Sequence, residues 1–103
     1  MFSDREKMLL GGGYFVTIRE DERFIEVKSK NTGHCWMIFK KAYALERPVV
    51  LYHKHSSKDA WYHEHGKVWT VLEAVRSIKM HDAYVVKHPN YLKMKRRKIN
   101  GSF

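Results

Sequence analysis

From Tyr14 onward the chain repeats one pattern, and that pattern limits its fold more than any other feature. A run rich in β-branched and aromatic residues, alternating in polarity, is followed by a short polar turn. Residues 14–19 (Tyr-Phe-Val-Thr-Ile-Arg), 23–29, 34–40, 49–53 and 61–65 each read as a strand. The turns are marked by Glu20-Asp21-Glu22, Asn31-Thr32-Gly33 and Ser56-Ser57-Lys58-Asp59. Strands joined by such short turns pair with their sequence neighbours, because the loops are too short for crossovers. The expected sheet is therefore an antiparallel β-meander of four to five strands.

A sheet with one apolar face must bury it, and the sequence supplies the cover near its end. Thr70-Val71-Leu72-Glu73 has the form of a capping box, with Trp69 and Ala74 at hydrophobic-staple positions. Val71, Leu72, Val75 and Ile78 recur at helical spacing, which predicts a helix over residues 71–80. Residues 82–88 are ambiguous: Tyr84-Val85-Val86 favours a strand, whereas the spacing of Val75, Ile78 and Val85 fits a helix. Pro89 ends either. A second capping box, Ser3-Asp4-Arg5-Glu6, predicts a short helix over residues 4–10, stopped by Gly11-Gly12-Gly13. Residues 41–46 have lost the alternation and suggest a helical turn before Pro48. The fold class is thus α+β: the meander packs on one main helix in the C-terminal half, with a short N-terminal helix. Residues 1–92 are expected to form a single domain and residues 93–103 a flexible basic tail.

At 103 residues with 44% hydrophobic and 14% aromatic content, the chain can bury a core without disulfides. Its one cysteine, Cys35, lies in the apolar run Cys-Trp-Met-Ile-Phe and reads as a small buried thiol. One cysteine in a domain this size suits a reducing, cytoplasmic setting. No stretch approaches the roughly 18 apolar residues of a membrane span, and the charged start predicts no signal peptide.

Charge points to the partner. There are 20 Lys+Arg against 11 Asp+Glu, a net charge of +9. Such an excess attracts polyanions by releasing their counterions, and nucleic acid is the commonest of these in a cell. Lys93, Lys95, Arg96, Arg97 and Lys98 carry five of the nine net charges, in a stretch with no acid. They are the candidate phosphate contacts, and Tyr91 beside them is a candidate for stacking on bases. The leading expectation is a non-enzymatic nucleic-acid-binding module. An acidic protein partner would satisfy the same charge, and an open sheet edge would allow a homodimer. Size, basicity and strand-rich order are similar to those of small proteins of phages, mobile elements and toxin–antitoxin modules.

The histidines suggest a second chemistry. His53-Lys54-His55 and His63-Glu64-His65 are two His-x-His pairs, and residues two apart on a strand share a face. If their strands pair with His55 opposite His63 and His53 opposite His65, four imidazoles gather on one face. That arrangement suits zinc or another borderline metal, although no cofactor is required by the leading reading. It also suits acid–base chemistry, so a histidine-based or metal-dependent small nuclease or hydrolase is the alternative. No Walker loop, dinucleotide fingerprint, Gly-x-Ser-x-Gly or Cys-x-x-Cys occurs.

Overall fold

The computed structural model describes residues 1–42 and 46–89. Two helices and five strands follow the order α1 (Asp4–Leu10), β1 (Phe15–Glu20), β2 (Phe24–Ser29), β3 (Cys35–Lys40), β4 (Val49–Lys54), β5 (His63–Val68) and α2 (Val71–Lys87). The strands form one antiparallel sheet whose spatial order equals the chain order, β1-β2-β3-β4-β5. The expected meander is therefore present with all five strands.

The alternation of each strand decides which face it buries. Ile25, Ile38 and Leu51 are cross-strand partners in one row, and Val27, Trp36 and His53 in the next. Of these six residues, the five apolar ones join Phe15, Val49, Leu10 of α1, and Val71, Ala74, Val75 and Ile78 of α2 in one apolar cluster. Both helices thus cover a single face. Burying a valine or isoleucine in this way contributes roughly 1.5–3 kcal/mol each, before the entropy of ordering it.

The N-terminal helix is capped as its sequence indicates. The Ser3 hydroxyl accepts from the Glu6 amide at 3.1 Å, and the Glu6 carboxylate accepts from the Ser3 amide at 2.8 Å. The same carboxylate pairs with Lys40 of β3 at 2.8 Å, tying α1 to the sheet. Gly33 holds φ at +76°, a left-handed conformation open to glycine at no steric cost, so the β2–β3 turn needs this residue.

Three expectations require correction. The fifth strand runs over His63–Val68 and does not stop at Gly66, because Gly66 lies opposite Leu51 within the ladder. A bulge there takes up one residue. The main helix continues to Lys87, so residues 82–87 are helical. Asp82 continues the buried face of Val71, Ala74, Val75 and Ile78, and tertiary burial overrides the strand propensity of Tyr84-Val85-Val86. Leu72 does not belong to the buried stripe, being 41% exposed, and Ala74 takes its place. At the helix start, Thr70 accepts from the Glu73 amide at 3.1 Å, while Glu73 reaches back to the Trp69 amide and not to Thr70. Residues 43–45 of the expected helical turn lie outside the described residues, as does the basic tail. Among the described residues, no helix is long and apolar enough to cross a membrane.

Candidate metal centre

Six of the seven histidines converge at one end of the helix-covered face. The β3–β4 register sets Trp36 opposite His53, with both side chains on that face. His34 precedes Trp36 by two residues and His55 follows His53 by two, so alternation brings both to the same side. The β4–β5 ladder places His63 opposite His53. From above, α2 delivers His81, three residues past the buried Ile78 and therefore on the helix face that meets the sheet.

His53 is the hub. Its ring centroid lies 5.0 Å from that of His34, 5.1 Å from His55, 5.3 Å from His63, 5.8 Å from His65 and 4.7 Å from His81. His34 Nδ1 and His53 Nε2 are 2.9 Å apart, so one of them carries a proton and the other accepts it. One ring nitrogen from each of His34, His53 and His81 lies within 4.8 Å of the other two. Imidazole nitrogens bound to one tetrahedral ion at ~2.0 Å stand roughly 3.3 Å apart, so these three must draw closer to share one ion. His34 and His53 are buried and His81 is half-buried.

Electrostatics keep these rings neutral. Burial, followed by the neighbouring histidines His81 and His34, pushes the His53 pKa down to about 2. Burial and His65 push His81 down to about 4. Burial also lowers His34, against the opposing pull of Asp82 and Asp59. At neutral pH each ring therefore offers a lone pair, the form a metal requires.

One feature beside the cluster fits a cation. Asp82 is fully buried, accepting from the Tyr14 hydroxyl at 2.6 Å and the Thr32 hydroxyl at 3.1 Å. No lysine or arginine among the described residues pairs with it, so its charge is balanced only by hydrogen bonds. Burial and this carboxylate push the Tyr14 phenol up to about 12, which keeps it a donor. Trp36 stacks on His53 at 4.1 Å and meets the rings of His65 and His81 edge-on. Its fully buried indole N–H has no acceptor, an orphaned donor of the kind usually matched in native interiors.

The sequence-based candidates fare unevenly. His53, His55, His63 and His65 come together on one face, but through a different register from the one expected. His53, not His55, pairs with His63: the ladder from Val49 to Leu51 is already one residue off the expected register, and the bulge between Leu51 and Tyr52 adds a second. Two of the three histidines whose nitrogens cluster, His34 and His81, were moreover not singled out by strand spacing. His34 was legible as the residue two before Trp36. His81 was hidden because it lies just past the predicted helix over residues 71–80, at the edge of the stretch whose helix or strand character was ambiguous. Lys93, Lys95, Arg96, Arg97, Lys98 and Tyr91 lie outside the described residues. Cys35 sits on the opposite face between Lys28 and Lys54, fully buried, and burial pushes its thiol up. His88 stands apart, stacked on Tyr84 at 4.0 Å.

Comparison with protein families, with characterised proteins and with solved structures finds no match.

Proposed function

We propose that this chain is a transition-metal-binding domain whose ion is held by His34, His53 and His81. The observation that carries this reading is the convergence of three neutral imidazoles, two of them buried, from the β2–β3 connection, β4 and α2. An all-nitrogen donor set favours zinc, copper, nickel or cobalt over calcium or magnesium, which prefer oxygen. The buried Asp82 carboxylate supplies counter-charge near His34 and His81. With three protein ligands the ion keeps a position for water or for another imidazole.

Equilibrium titration of the intact chain with Zn(II) and Co(II) tests this. One ion per chain with at least micromolar affinity is expected. A visible Co(II) spectrum of four-coordinate type should appear and vanish in His53→Ala. Absence of binding by the folded wild-type chain at micromolar concentrations removes the reading.

A second reading rests on charge. The net charge of +9 favours phosphate contacts with nucleic acid, and Arg19, Lys28, Lys54 and Lys67 lie on the sheet face that the helices do not cover. Fluorescence anisotropy with single- and double-stranded DNA and RNA over a salt series tests it, comparing the intact chain with one ending at Leu92. Salt-sensitive binding that drops on truncation supports the module. Metal-dependent cleavage of the same oligonucleotides would join the two readings into a metal-dependent nuclease.

A further inference from the structure

Resting on the metal reading, we propose that His63 and His65 form an entry port through which the ion reaches the buried trio. The histidines are graded by depth. His34 is 2% exposed and His53 1%; His81 and His55 are half-buried; His63 and His65 are exposed. The two exposed ones lie on β5, an edge strand of the sheet.

The rings form continuous routes inward. His63 lies 5.3 Å from His53, and His65 lies 5.2 Å from His81, centroid to centroid. A cation captured at the edge can therefore exchange waters for imidazoles one at a time. Entry in a single step would require it to shed its hydration before meeting any buried ligand, which is far more costly. His63 and His65 are not part of the closest nitrogen trio. Their contribution is to the path and not to the final coordination.

A residue that acts only on the path must change association and dissociation by the same factor, because both directions cross the same barrier. This separates a port from a ligand. The experiment is stopped-flow mixing of the full chain with Ni(II), followed by quenching of Trp36, whose ring stacks on His53. Dissociation is measured by adding excess chelator. In the His63→Ser/His65→Ser variant, both rates should fall by about tenfold, because the ion then loses the intermediate ligands that replace its waters one at a time. The equilibrium Kd should stay within a factor of two or so of wild type, given that port residues add no final bond. Both positions are exposed, and the circular dichroism of the variant confirms its fold.

Unchanged rates overturn the port. Faster dissociation with a weakened Kd also overturns it, by making these histidines ligands. Failure of wild type to bind Ni(II) at equilibrium is a different result, since it removes the metal reading and the port with it.

Discussion

At the scale of single residues, the site depends on side chains whose neighbours would not all be guessed from spacing. Asp82 is the clearest case. It is a fully buried acid that satisfies Tyr14 from β1's entrance and Thr32 from the β2–β3 turn, tying both to α2. Replacing it by alanine leaves the Tyr14 hydroxyl without its acceptor and should destabilise the chain by roughly 1–3 kcal/mol. Urea unfolding of Asp82→Ala at pH 7.5 measures this, and Tyr14→Phe/Asp82→Ala should recover part of the loss. Gly33 acts earlier in the same turn, just before His34. No atom obstructs an added Cβ there, yet φ of +76° strains any L side chain. Gly33→Ala should therefore cost about 1 kcal/mol through backbone strain alone, read as a lower urea midpoint with an unchanged slope. The acid at position 82 gave no sequence signal of burial, since aspartate is almost never buried without partners and its partners are 50 and 68 residues away.

At the scale of elements, alternation and capping were legible, while boundaries set by tertiary contact were not. Ser3-x-x-Glu6 forms its reciprocal cap as read, and the strands fall close to the expected runs because period two directly encodes a half-buried sheet. The register of β4 against β5 could not be read. It turns on one bulged residue, and a single step exchanges the faces of a strand. The histidine pairs nevertheless met, because the observed pairing of His53 with His63 differs from the expected one by an even step of two, which keeps both pairs on one face. In α2, Leu72 and Ile78 looked equivalent from sequence, but Leu72 is 41% exposed and Ile78 fully buried. Ile78→Ala should accordingly cost roughly 2–5 kcal/mol by opening a cavity under the helix. Leu72→Ala should stay within about 0.5 kcal/mol of wild type, as expected for a surface change. Thermal or urea unfolding of the two variants side by side checks the contrast. Equal losses would mean that α2 is rotated from the placement described.

At the scale of the whole molecule, the histidine cluster couples folding to protons and to metal. In the folded chain His53 is held down to about 2 and His81 to about 4, chiefly by burial. Unfolding frees both to titrate near the ordinary histidine value of about 6.5. Between these limits the unfolded chain binds more protons than the folded one, so stability rises with pH across that window. Without metal, stability is at its full value above about pH 6.5 and falls as pH drops below it. Each of these two histidines contributes a slope of about 1.4 kcal/mol per pH unit until it protonates in place. His34, also lowered, adds to the fall, while Asp82 and Asp59 oppose it by favouring its charged form. A metal ion enters the same linkage from the other side. It binds only neutral imidazoles, and it joins β4, the residue preceding β3, and α2 at one point. At a hundredfold excess over Kd it stabilises the fold by about 2.7 kcal/mol, a rise in Tm of about 12 °C for a domain of this size. Scanning calorimetry with and without Zn(II) should show that rise at pH 7.5. It should persist at pH 5, where the fold still holds His53 and His81 neutral, while the bare chain loses stability. A Zn(II)-induced rise that disappears by pH 5 would place the ion on groups that titrate near the ordinary histidine value. A bare chain whose Tm does not change from pH 7.5 to pH 5 would mean that these histidines are not held neutral by the fold.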